Sequence, residues 1–194
     1  MNKKLERSFY ARPDVVAVSR ELLGKVLVTH VNGVTTAGII TETEAYMGAV
    51  DKASHAYGGK VTPRNKIMYG QAGHAYIYLC YGIHHLFNVV TNAEGVAHAV
   101  LVRAIHPVEG LATMLKRRKT KTLTTGGPGT LTQALGIRTS QNGADLLGNL
   151  IWIEERHIVV PQEAIITGPR IGVDFAGEDA LLPYRFHFNP RILA

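Results

Sequence analysis

The chain has 194 residues, 46% of them apolar and 19% charged, with one cysteine and a formal net charge of +6. That composition suffices for a core and is too poor in charge for disorder; the lone cysteine excludes a disulfide framework and any cysteine-based zinc or iron–sulfur site. The basic excess favours a polyanionic partner. With no apolar stretch behind the basic start and no run long enough to span a bilayer, the expectation is a soluble, cytoplasmic protein, one domain over residues 1–194.

Pro13 to Leu23 opens helically, with Val15, Val16, Val18, Leu22 and Leu23 near the helical period. From Lys25 the pattern turns to strands: KVLVTHV, the Asn32–Gly33 turn, then TTAGIITETEAY, a strong hairpin signal. Gly48 to Gly73 reads as an ordered functional loop. Strands resume at HAYIYLCY, LFNVVTN and AHAVLVRAI, the last stopped by Pro107. A helix is predicted over Val108 to Leu115, running into the basic loop Lys116, Arg117, Arg118, Lys119 and Lys121. Gly126–Gly129 is a hinge before a short helix, Thr130 to Leu135, and the tail returns to strands at LIWIEE, EAIITGPRIGV and YRFHF. The pattern predicts an α+β fold, a curved antiparallel sheet with several packed helices.

Alternation along a strand over Ile39–Tyr46 places Glu42, Glu44 and Tyr46 on one face, with Ile40 beside them. Such a pair suits a solvent-facing edge, a general base whose pKa is raised among apolar neighbours, or two carboxylates about 7 Å apart that bind a divalent metal or flank a glycosidic bond. Tyr76, Tyr78 and Cys80 share a face in the next hairpin, Cys80 as a small core hydrophobe. Leu86, Asn88 and Val90 share a face of its returning strand. The hairpin tip carries Tyr81, Gly82, Ile83, His84 and His85; an aromatic and an aliphatic side chain there fit either a wedge entering a stacked duplex or packing under a neighbouring loop. Arg103 interrupts an apolar strand and needs a carboxylate, a ligand or an exposed face. His55 lies in the polar loop, where functional side chains concentrate. The nine histidines form no metal signature, and neither GxGxxG nor GxxxxGK[ST] is present, so no metal and no cofactor is expected.

The stretches TETEAYMG, SHAYGGKVTPRN, YIYLCYG, FNVV and VLVRAIHPVEG, in this order and spacing, resemble the alkyladenine (3-methyladenine) DNA glycosylase family. GGPGTLTQALGI, RIGVDFAGEDA and PYRFHF resemble its C-terminal half, and FYARPDVVAVSRELLGKVLV its start. The resemblance implies that Glu44 is the general base activating the water that attacks C1′. It makes Tyr46 one wall of the base pocket, with His55 and Tyr78 on the opposite face of a flipped base. It implies that Tyr81 fills the gap left in the duplex, that Asn88 discriminates against guanine, and that the Arg103 carbonyl helps hold the water. Lys60, Thr62, Ile83, His84 and Gly127 fall at positions near the DNA backbone.

The resulting expectation is a monofunctional glycosylase, acting as a monomer on double-stranded DNA that contains an alkylated or deaminated purine, with no strand cleavage and no membrane partner. Competing expectations are a non-catalytic damage-binding module, a metal-dependent nuclease using Glu42 and Glu44, and a basic RNA-binding domain, the last disfavoured because the aromatics are not spread across a sheet face.

Overall fold

The computed structural model describes residues 2–193. A short strand β1 (Lys3–Lys4) and one turn of helix α1 (Arg7–Tyr10) precede α2 (Val15–Glu21). Asp14 starts α2 by accepting hydrogen bonds from the Val16 and Ala17 N–H groups, each at 2.9 Å, donors that a first helical turn otherwise leaves free. Val15, Val18 and Leu22 are buried without exception, so the predicted apolar face is the one that packs.

Strands β2 (Val26–Val31) and β3 (Val34–Tyr46) form the expected hairpin. Asn32 (φ 54°) and Gly33 (φ 73°) both take the left-handed conformation, which matches a two-residue turn to the twist of its strands. The Gly48–Gly73 loop is ordered by three single 3₁₀ turns, Gly48–Val50, Tyr57–Gly59 and Lys66–Tyr69. Then come β4 (Ala75–Cys80), β5 (His84–Thr91), β6 (His98–Glu109), α3 (Leu111–Arg118), α4 (Pro128–Leu135), β7 (Ile151–Glu155), β8 (Ile166–Gly168) and β9 (Arg185–His187). The strands make one antiparallel sheet in the order β1-β7-β2-β3-β6-β5-β4, with β9 pairing both β3 and β8. β3 pairs with β2 along its first half and with β9 at Glu42–Glu44, while β6 follows its other edge. Register shifts along β3·β6 bend this pair, and such bulges curl a sheet. The fold is α+β, as predicted.

Four local expectations are corrected. Pro107 does not end β6: the strand continues to Glu109, with Pro107 opposite Gly38 at a register shift where no ladder donor is missed. The helix accordingly starts later, at Leu111, after Gly110 in the left-handed conformation (φ 74°). Lys116, Arg117 and Arg118 form its last turn, not a loop, and Arg117 donates to Thr36 Oγ1 and the Ala134 carbonyl, each at 3.1 Å. Finally, β8 stops at Gly168 because Pro169 has no N–H to extend the ladder. Among the described residues no helix is long and apolar enough to cross a membrane.

Two glycines test this geometry. An added Cβ at Gly33 meets nothing within 4 Å, whereas at Gly110 it falls 2.6 Å from the Thr35 carbonyl oxygen. In urea unfolding, Gly33→Ala is expected to cost about 1 kcal/mol and Gly110→Ala more than about 2 kcal/mol. Equal losses contradict the packing described.

Candidate active site

The site is built on the second half of β3. Thr43 faces α2, where its hydroxyl donates to the Ser19 carbonyl at 2.8 Å. Alternation then sends Glu42, Glu44 and Tyr46 to the opposite side. Ile40 departs from the expected face: the register shift between Ile40 and Glu42 returns it to the apolar cluster that holds Val18 and Ala45.

Glu44 has no exposed surface. Its Oε2 accepts from the Tyr46 hydroxyl and its Oε1 from the Ile171 N–H, both at 2.8 Å, and Arg103 Nε lies 3.4 Å from Oε1. Burial pushes this carboxyl above its ordinary 4.5, opposed by Arg103, the Ile171 N–H and the Tyr46 hydroxyl and reinforced by Glu42. Burial and Glu44 hold the Tyr46 phenol protonated, well above its usual range. Arg103 meets both carboxylates, its Nε also 3.1 Å from Glu42 Oε1, and Arg185 Nη1 reaches that same oxygen from β9 at 3.0 Å. Glu42 is therefore ion-paired twice, and Arg103 finds the carboxylates its strand position demanded.

In front of this cluster opens a cavity of about 620 Å³, within the range of small-molecule sites. Tyr46, His55, Tyr78, Tyr81, His84, Asn88, Arg103 and Gly127 all line it, as do Tyr76, Arg64, Ile171 and Phe175. Glu44 sits one layer behind, screened by its partners Tyr46, Arg103 and Ile171. His55 Nδ1 is 2.8 Å from the Tyr76 hydroxyl, and its ring meets Tyr78 edge-on at 4.6 Å. Crowding by these rings, with the Arg64 guanidinium behind them, pushes the His55 imidazole down to about 4, and burial pushes Tyr76 up to about 12. The aromatic members of the wall are thus neutral at pH 7, and its positive charge comes from Arg64 and Arg103. Asn88, buried, donates from Nδ2 to the Tyr76 carbonyl at 3.1 Å.

The hairpin tip behaves as a presented feature. Tyr81 is 89% exposed and left-handed (φ 50°), followed by Gly82 at φ 72°. A bulky side chain in that conformation costs about 1–2 kcal/mol and points to a role outside the fold's own packing. Ile83 is exposed beside it. His84 packs over Gly129, where an added Cβ would sit 2.7 Å from the ring nitrogen. Lys60 and Thr62 stay off the cavity wall. Lys60 is exposed, and the Thr62 N–H and hydroxyl both donate to Asn65 Oδ1, at 2.7 and 3.0 Å. Cys80, expected in the core, instead lines the cavity and is half-buried, because the hairpin carries its end past the packed layer.

Sequence reasoning passed over Arg170, Asp51, Ile171 and Asn65. Asn65 Nδ2 ties the His55 and Lys60 carbonyls together at 2.8 and 3.0 Å and so shapes the loop that delivers His55. The signal for Arg170 was a lone Arg inside the apolar run IITGPRIGV. Among the described residues no group of three or more His, Cys, Asp or Glu is arranged to hold a metal ion.

Comparison with known proteins agrees along nearly the whole chain. Residues 8–191 match the model of the methylpurine-DNA glycosylase family. A protein of Alkaliphilus oremlandii is 46% identical over 97% of this chain and 98% of its own length. One of Chlamydia felis is 48% identical over 95% and 96%, and one of Clostridium acetobutylicum 45% identical over 96% and 94%. All three are provisionally named 3-methyladenine DNA glycosylase.

The electrostatics make a stability prediction. An acid whose folded pKa lies above its unfolded value adds stability below the unfolded value, and that stability is lost as pH rises through the folded one. Glu44 is such an acid, with an ordinary value of 4.5. Urea unfolding is expected to show Glu44→Gln gaining on the wild type as pH rises from about 4 to about 7. A variant that loses ground over that window contradicts the assignment.

Proposed function

The chain belongs to the methylpurine-DNA glycosylase family, and from that premise we propose that it excises alkylated, and also deaminated, purines from duplex DNA by hydrolysing the N-glycosidic bond. The observation that carries the reading is a fully buried carboxylate, Glu44, directly behind a cavity lined by tyrosines and a histidine.

In this reading the damaged nucleotide swings out of the stack and its base enters the cavity. Unstacking costs a few kcal/mol, less where damage has already weakened pairing. The base lies between Tyr46 and the His55–Tyr78 pair. An electron-deficient or cationic purine gains from aromatic faces, and a His55 held neutral adds no charge to that of Arg64 on that side. Ionised Glu44 takes a proton from a water also held by the Arg103 carbonyl. The water oxygen bonds to C1′, the C1′–N bond breaks, and its electron pair leaves with the base. An alkylated purine is already a good leaving group, so orientation and a site tolerant of oxocarbenium-like charge supply most of what is needed. Tyr81 occupies the gap in the duplex and slows return of the nucleotide. Asn88 opposes the exocyclic amino group of guanine. Lys60, Thr62, Ile83, His84 and Gly127 lie along the DNA backbone, and the +6 net charge aids encounter. The whole chain acts as one domain and one copy per lesion.

The test is base release from a duplex carrying one hypoxanthine or ethenoadenine, in excess EDTA, with hot alkali revealing abasic sites. Wild type is expected to give cleavage only after alkali, and Glu44→Gln to be slower by about 10²–10⁴-fold. Tight lesion binding without release would favour a damage-binding module, and alkali-independent scission abolished by EDTA a nuclease.

A further inference from the structure

We propose that the buried Arg170–Asp51 ion pair is the positioning device of this site, holding the Ile171 N–H and the Tyr46 ring against the Glu44 carboxylate. The inference rests on the reading of Glu44 as the base. Both side chains are essentially without exposed surface. Arg170 Nη1 and Nη2 grip the two Asp51 oxygens at 2.5 and 2.9 Å, and the same nitrogens donate to the Ala45 and Asp179 carbonyls, each at 3.0 Å. The guanidinium carbon lies 4.8 Å from the centre of the Tyr46 ring and 5.3 Å from that of Tyr184. Asp51 in turn accepts the Met47 and Ala53 N–H groups at 3.0 and 2.9 Å.

One pair therefore joins the end of β3, the loop that leads to His55, and the segment after β8. The residue that follows Arg170 is the one whose N–H reaches Glu44. A buried ion pair is a poor source of stability in itself, because desolvation offsets its attraction. Its use is geometric: a planar guanidinium fork admits one arrangement of the groups around it. Both groups that it holds in place lower the pKa of Glu44. Loosening them leaves burial less opposed and raises that pKa further, so the ionised base appears only at higher pH.

The experiment is single-turnover base release from the hypoxanthine duplex across roughly pH 5–8, with wild type, Asp51→Asn, Arg170→Lys and Tyr46→Phe. Asp51→Asn and Arg170→Lys keep size or charge but lose the paired fork. Both are expected to move the acid limb up by about one pH unit, about a tenfold loss on that limb, with rates converging on wild type at the alkaline end and lesion-duplex binding changed less than about twofold. Tyr46→Phe removes one held donor while sparing the ion pair, and its limb is expected to move the same way. Should the pair variants fail to fold, that variant still decides: an unmoved limb in Tyr46→Phe overturns the proposal. So does a loss uniform across pH in the pair variants, the mark of a merely structural role. A wild type that releases no base overturns both this proposal and the reading beneath it, whereas an active wild type with unmoved limbs overturns this proposal alone.

Discussion

A carboxylate with no exposed surface is the constraint around which this molecule is arranged. Ionised Glu44 cannot be left unpaired in an apolar interior, and of its three partners one is local, Tyr46 two residues on, while two are distant, Arg103 from β6 and the Ile171 amide from beyond β8. They hold the group back from the full effect of burial without cancelling it. A base stabilised too well by its neighbours accepts a proton poorly, and one left unpaired is never ionised near neutral pH. The balance lies between these limits.

The fold supplies this balance by using β3 twice. Its first half is a plain hairpin strand against β2. The register shifts around Thr41 and Glu42 let the second half keep Ala45 in the core while bringing Tyr46 to the cavity wall and Glu44 and Glu42 behind it. Arg103 on the neighbouring strand answers both carboxylates. The aromatic wall comes from the adjacent hairpin and from a loop that Asn65 and Asp51 tie internally, so the cavity is lined from rigid elements. The hairpin tip, with Tyr81 exposed at positive φ, projects away from that frame.

Much of this was legible wherever the information is local. Asn32–Gly33 dictates its turn, the alternation of ETEAY dictates a shared face, and an Arg in an apolar strand demands a carboxylate. The resemblance to a glycosylase family rested on motifs in a fixed order, and the wider comparison agrees with it. What escaped was non-local. Asp51 and Arg170 lie 119 residues apart, and nothing in either neighbourhood announces the other. Pro107 looked like a terminator because a proline cannot donate to a ladder, yet opposite Gly38 at a register shift it has no donation to make. The basic run read as loop because charge was weighed above the helical turn that Arg117 and Arg118 complete against α4. Ile40 was misplaced for the same reason as Pro107: strict alternation fails where a strand bulges.

The account stands on the ionisation of one side chain, and carbon-13 NMR titration of the Glu44 carboxyl in the free protein reads it directly. The account predicts a midpoint above the ordinary 4.5, because burial outweighs the Arg103, Ile171 and Tyr46 contacts. A midpoint at or below that value would mean that the partners win, leaving a structural carboxylate in place of a poised base.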